Sequence, residues 1–110
     1  MTDRELLEAA AKAAGYKVTG YDEHTSYIIV NGERFPNGHQ TWYWNPLTDD
    51  GDALRLAVKL WIQLTFFEHV IYASVGGEAT HWTEQWIEGD PQEAARRAIV
   101  RCAAAIGESK

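Results

Sequence analysis

The run Asp90-Pro91-Gln92-Glu93 narrows the possible folds of this chain more than any other stretch. It offers an oxygen acceptor at the cap, a ring that fixes φ at the first helical position and a carboxylate at the third, and that combination starts a helix. Ala95, Ala98, Ile99, Cys102 and Ile106 then recur at helical spacing, Arg96, Arg97 and Arg101 fall on the wet side, and Gly107 reads as the stop. A long alanine-rich helix of this kind allows close approach to a sheet or to another helix.

Two further helices are expected. Thr2 and Glu5 form a capping box, followed by the apolar series Leu6, Leu7, Ala10, Ala11 and Ala14 and a left-handed stop at Gly15. Thr48-Asp49-Asp50-Gly51-Asp52 sets oxygen acceptors before a second helix, whose expected buried stripe is Leu54, Ala57, Val58 and Trp61 and which should yield near Thr65. Between the helices the period changes to that of strands. Ser26 to Val30 ends in Asn31-Gly32, suited to a type I′ turn, with Glu33 to Phe35 returning and Gln40 to Trp44 as a third short strand. Thr65 to Val75 closes on Gly76-Gly77, and Ala79 to Glu88 returns with Trp82, Glu84 and Trp86 on one side and His81, Thr83, Gln85 and Ile87 on the other. The expected fold is α+β: one domain over residues 1–110, with an antiparallel sheet of about four to five strands packed by three helices into a layered α/β sandwich.

Composition removes several functions. A net charge of −6 opposes general nucleic-acid binding, which needs a basic footprint. No stretch approaches the roughly 18 apolar residues of a membrane span, and the opening residues do not read as a signal peptide. One cysteine, Cys102, makes neither an internal disulfide nor a multi-thiolate metal site, and a reducing cytoplasm fits it.

The candidate chemistry is sparse. Asp49, Asp50 and Asp52 read as a helix cap before they read as a cation site, since the ligand spacing of a calcium loop is missing. His24, His39, His69 and His81 form no ligand motif, although His69 and His81 lie on two arms of one hairpin. Cys102, on an apolar face, reads as a small core hydrophobe. Trp42, Tyr43 and Trp44, with Trp82 and Trp86, are the most suggestive group: either core or an aromatic binding surface, with Trp42 and Trp44 sharing one strand face and Trp82 and Trp86 another. Arg96, Arg97 and Arg101 are the candidate anion contacts, against the commoner reading of a solvated helix face.

The central segment Trp44-Asn45-Pro46-Leu47-Thr48-Asp49-Asp50-Gly51-Asp52-Ala53-Leu54-Arg55-Leu56-Ala57-Val58-Lys59-Leu60 resembles the phage ABA-sandwich domain family. The blocks from Arg4 to Tyr16 and from Gly89 to Ile99 are similar to it as well. The resemblance implies an α/β sandwich encoded by a bacteriophage or prophage and working in the host cytoplasm, and it brings no catalytic residues. The expectation is a small accessory protein that binds a host or phage protein, without catalysis, cofactor or metal. Homodimerisation is the natural cover for excess apolar surface from Trp61 to Val75. Two alternatives stay open: a binder of a nucleotide or other small ligand, and a small hydrolase using His81 or Asp52.

Overall fold

The computed structural model describes residues 1–32, 35, 38–75 and 82–109. Its elements run α1 (Asp3–Ala14), β1 (Lys17–Asp22), β2 (Tyr27–Asn31), β3 (Thr41–Trp44), α2 (Asp50–Leu60), β4 (Ile62–Phe66), β5 (Val70–Val75), β6 (Trp82–Trp86) and α3 (Pro91–Glu108). The α+β class and the three helices match the expectation. The single sheet does not: the strands form two three-stranded antiparallel sheets, ordered β1-β2-β3 and β4-β5-β6. The division falls where α2 interrupts the run of strands. α1 covers β1 and β2, α3 covers β4, β5 and β6, and α1 packs on α3, so the helices join the two sheets.

Each helix start obeys the local rules. Thr2 and Glu5 close a reciprocal capping box, Asp49 accepts from the Asp52 amide, and Asp90 accepts from the Gln92 amide with Pro91 behind it. α1 also ends as expected, at a left-handed Gly15 with φ 82°, whereas the ends of α2 and α3 follow packing. Gly107 does not stop α3; it lies buried inside the helix, where a Cβ would sit within the carbonyl of Ala9 and against the Ala13 amide. The chain runs through it to Ser109, whose hydroxyl donates to the Ile106 carbonyl. Glycine is required there because α1 and α3 touch backbone to backbone.

α2 departs further. Its buried residues are Asp52, Ala53, Leu56 and Ala57, whereas Leu54, Val58 and Trp61 are exposed, so the helix is turned by one position from the expected stripe. It ends at Leu60, before Thr65, with Trp61 left-handed at φ 59°. The following stretch holds a reversal: β4 and β5 pair antiparallel, with the Phe67 amide donating to the Val70 carbonyl across the turn.

The Asn31-Gly32 hairpin is also corrected. Asn31 is the last paired residue of β2, opposite both Lys17 and Thr41, and has no positive φ. The tight reversal comes earlier, between β1 and β2, where Ser26 takes φ 64°. The expected strand from Glu33 falls mostly outside the described residues. Phe35 is buried and in contact with the ring of Trp42. Gly76-Gly77 and His81 likewise lie outside them, while β5 and β6 pair antiparallel as expected, Ser74 facing Trp82 and Val70 facing Trp86.

One core links these layers, from Leu7, Ala10 and Ala11 of α1 through Ile28, Val30 and Trp44 to Ile71, Ala73, Ala98 and Cys102. Among the described residues no helix is long and apolar enough to cross a membrane. Replacing Gly107 by Ala is expected to lower the unfolding free energy by about 2 kcal/mol in a urea titration, despite the roughly 1 kcal/mol that Ala gains over Gly within a helix. Unchanged or higher stability would show that α1 and α3 do not meet at this point.

Candidate interaction surface

The tryptophans divide between the two sheets. Trp44 is buried at 2% exposure, edge-on to Tyr16 with ring centroids 5.6 Å apart, and belongs to the core. Trp42 is half-buried, and its indole Nε1 donates to Asp52 Oδ1 at 2.9 Å. Neither offers the open aromatic surface considered for this strand. Only Tyr43, on the opposite side of β3, is exposed.

Asp52 explains why. Its carboxylate is 1% exposed and accepts from Trp42 Nε1, from the Asn45 amide at 3.0 Å and from Arg55 Nη2 at 2.7 Å. A buried charge needs such partners, because unpaired it would carry its full desolvation cost. Asn45 extends the network: its Nδ2 donates to the Ser26 carbonyl and its Oδ1 accepts from the Leu47 amide. The segment from Trp44 into α2 is thus a structural hub joining β3, the reversal before β2 and the start of α2. Asp49 acts as the cap, and Asp52 has its oxygens occupied by protein donors.

The three arginines are also engaged within the chain. Arg96, mostly buried, donates to the Leu47 carbonyl at 2.9 Å and to Asp50 at 2.6 Å. Arg97 pairs with Asp3 at 3.1 Å. Arg101 donates to the Glu84 carbonyl at 2.8 Å and to Gln85 Oε1 at 2.9 Å. They tie α3 to α2, α1 and β6 in turn; they do not form one solvated stripe.

The second sheet is different. Ile71, Ala73 and Thr83 are buried beneath α3, so alternation turns Val70, Tyr72 and Ser74 of β5 and Trp82, Glu84 and Trp86 of β6 to the other face, which no helix covers among the described residues. Trp82 and Trp86 are 60% and 57% exposed, as sequence alternation grouped them. Tyr72 lies 5.9 Å from Trp82 and 5.7 Å from Phe67 by ring centroids, giving a continuous aromatic band. Beside Trp86 it forms a shallow hollow of about 470 Å³ lined by Phe67, Val70 and Tyr72. Phe67 and Tyr72 were not singled out from sequence, since the reversal between β4 and β5 sets their direction.

Two outward carbonyls at the free edge of β6 are met from within the chain. The Ile87 amide donates to the His69 carbonyl, so ladder alternation directs the carbonyls of Glu84 and Trp86 outward. There Arg101 caps Glu84, and Gln85 Nε2 reaches the Trp86 carbonyl at 3.3 Å.

The remaining candidates sit apart. His69 is exposed at the β4–β5 turn, beside Ile87 and at the far end of the hairpin from Trp82. Cys102 is buried, and burial pushes its thiol up to about 11, away from the reactive thiolate. Among the described residues no group of three His, Cys, Asp or Glu is placed to hold a metal ion.

Compared with protein-family models, with curated proteins and with solved structures, the chain matches none.

Asp52→Asn is expected to cost about 2–3 kcal/mol of stability, since it removes the buried charge that the Asn45 amide, the Trp42 indole and the Arg55 guanidinium face. Asp50→Asn, in the same turn but exposed, should cost less than about 1 kcal/mol. Thermal unfolding followed by circular dichroism compares the two, and equal losses would deny Asp52 its role.

Proposed function

We propose that this protein acts by binding another protein through the open face of β4–β6, as a small accessory protein of bacteriophage or prophage origin working in the host cytoplasm without catalysis. One observation carries the reading: Phe67, Tyr72 and Trp82 make successive ring contacts, with Trp86 beside Phe67 and Tyr72, on a sheet face that no helix covers among the described residues. Large aromatic side chains on a rigid strand are the anchors of protein interfaces, and a patch of this kind marks an interaction site. The resemblance of Trp44 to Leu60 to the phage ABA-sandwich family supports the setting. The nucleotide-binding alternative loses support from the arginines, because Arg96 and Arg97 already hold Asp50 and Asp3. The hydrolase alternative loses support from Asp52, whose oxygens are occupied.

Affinity capture with the tagged chain, from bacterial lysate with and without phage infection, tests this reading. Proteins retained by the native chain are expected to be lost with the Trp82→Ala/Trp86→Ala double variant, whose melting temperature should hold because both side chains are exposed. Retention of the same proteins by the double variant would place binding elsewhere.

A second reading, homodimerisation, is favoured by α2. Leu54, Val58 and Trp61 repeat at 4-3 spacing on its outer side, the seam of a helix pair. In an antiparallel pair about a two-fold, Leu54 faces the partner's Val58. The acidic first turn of each helix then lies beside Lys59 of the other. Trp61, 83% exposed in a left-handed conformation that suits glycine, has no other evident use. Trp61→Gly should abolish the dimer in sedimentation while stability holds or rises by up to about 1 kcal/mol. A native chain that stays monomeric at all concentrations would remove this reading.

A further inference from the structure

We propose that the occupant of the open face is an arginine-bearing segment of a basic partner protein, with a guanidinium seated between Trp82 and Trp86 over the Glu84 carboxylate. This rests on the reading that the open face binds protein, and adds the chemistry of what binds.

The first support is charge. From Leu60 to Ala95 the sequence has no Lys or Arg, and the described residues of this stretch carry the carboxylates Glu68, Glu84, Glu88, Asp90 and Glu93. The aromatic band is therefore set in a negative field, and phosphate-bearing partners are repelled. A second copy laid face to face would bring its own Glu68 and Glu84 carboxylates into the same negative field, which disfavours self-association at this surface.

The second support is geometry. Same-side residues of a strand repeat every ~6.6 Å, so Trp82 and Trp86 stand ~13 Å apart with Glu84 midway. That gap admits a planar cation within ~6 Å of an indole centroid while it meets the carboxylate. Tyr72 Oη, 3.4 Å from Glu84 Oε1, steadies the carboxylate from the neighbouring strand. Among the described residues no Lys or Arg lies within ion-pair distance of that carboxylate; Arg101, at the edge, meets the Glu84 backbone carbonyl. A purely apolar partner would bury the Glu84 charge with only the long Tyr72 hydroxyl contact to meet it, whereas a guanidinium pairs with it through parallel N–H groups and stacks on the rings.

The probe is an acetylated, amidated hexapeptide of alternating arginine and alanine, compared with its counterpart carrying uncharged citrulline for arginine. Indole Nε1 resonances of Trp82 and Trp86 report contact, and intrinsic fluorescence reports affinity. The arginine peptide is expected to shift both resonances. Citrulline replacement, Glu84→Gln and Trp86→Ala should each weaken binding about tenfold or more, and Glu23→Gln, an equal loss of charge in the distant β1–β2 turn, less than twofold. Equal binding of the citrulline peptide, equal effects of Glu84→Gln and Glu23→Gln, or no binding at millimolar peptide would each overturn the proposal. So would a dimer in sedimentation that Trp86→Ala dissolves, since a second copy would then occupy the face. Partner proteins lost with the Trp82/Trp86 double variant yet kept by Glu84→Gln would leave the open-face reading standing and remove the arginine. Partners kept by both variants would remove the two together.

Discussion

The buried carboxylate of Asp52 is the constraint on which the rest of the structure depends. A charge at 1% exposure is tolerable only where donors surround it, and its donors come from β3, from the loop after it and from the next turn of α2. Satisfying it draws Trp42 inward, docks Asn45 beneath the Ser26 reversal and sets the rotation of α2 about its own axis. With that rotation set, Ala53, Leu56 and Ala57 face the core, and Leu54, Val58 and Trp61 have nowhere to go but solvent. Arg55 closes the arrangement by lying over the Trp42 ring while pairing with Asp52.

The two sheets consequently treat their aromatic residues in opposite ways. In the first, Tyr16, Phe35, Trp42 and Trp44 make one interlocked group of edge-on and stacked rings beside the polar hub. In the second, the core is made from small and branched residues, Ile71, Ala73 and Thr83, because α3 approaches with alanines. An alanine-faced helix lies close to a sheet and leaves little depth for rings. Phe67, Tyr72, Trp82 and Trp86 are thereby displaced to the far side.

Much of this was legible from residue patterns. The starts of α1, α2 and α3 follow from Thr2, Asp49 and Asp90, since capping is a local interaction between neighbours in sequence. The facing of Trp82, Glu84 and Trp86 followed from strand alternation alone. What was illegible depended on contacts distant in sequence. The role of Asp52 needs Trp42 and Asn45 brought to it, and its one sequence signal was that a third carboxylate is surplus to a cap that Asp49 already makes. Gly107 carries the signature of a helix stop, and only the backbone of Ala9 opposite it reveals a close-packing glycine. The arginines of α3 look like a solvated stripe until Asp3, Asp50 and the Glu84 carbonyl are found beside them. The Asn31-Gly32 pair misled because turn propensity is outweighed when β2 pairs on both sides to its last residue.

The treatment of β6 separates two kinds of adhesion. An exposed strand edge offers backbone groups that any other strand can pair with, and it invites indiscriminate association. Here the outward carbonyls of Glu84 and Trp86 are met by Arg101 and Gln85, which blunts that route. The adjoining face keeps its indoles in solvent with a carboxylate between them. Side chains discriminate where backbone does not, because a partner must match both the apolar rings and the charge to avoid burying Glu84 unpaired. On the proposed reading, a strand whose outward carbonyls are met while its face stays open is arranged for selective contact, and the selectivity resides in the carboxylate more than in the rings.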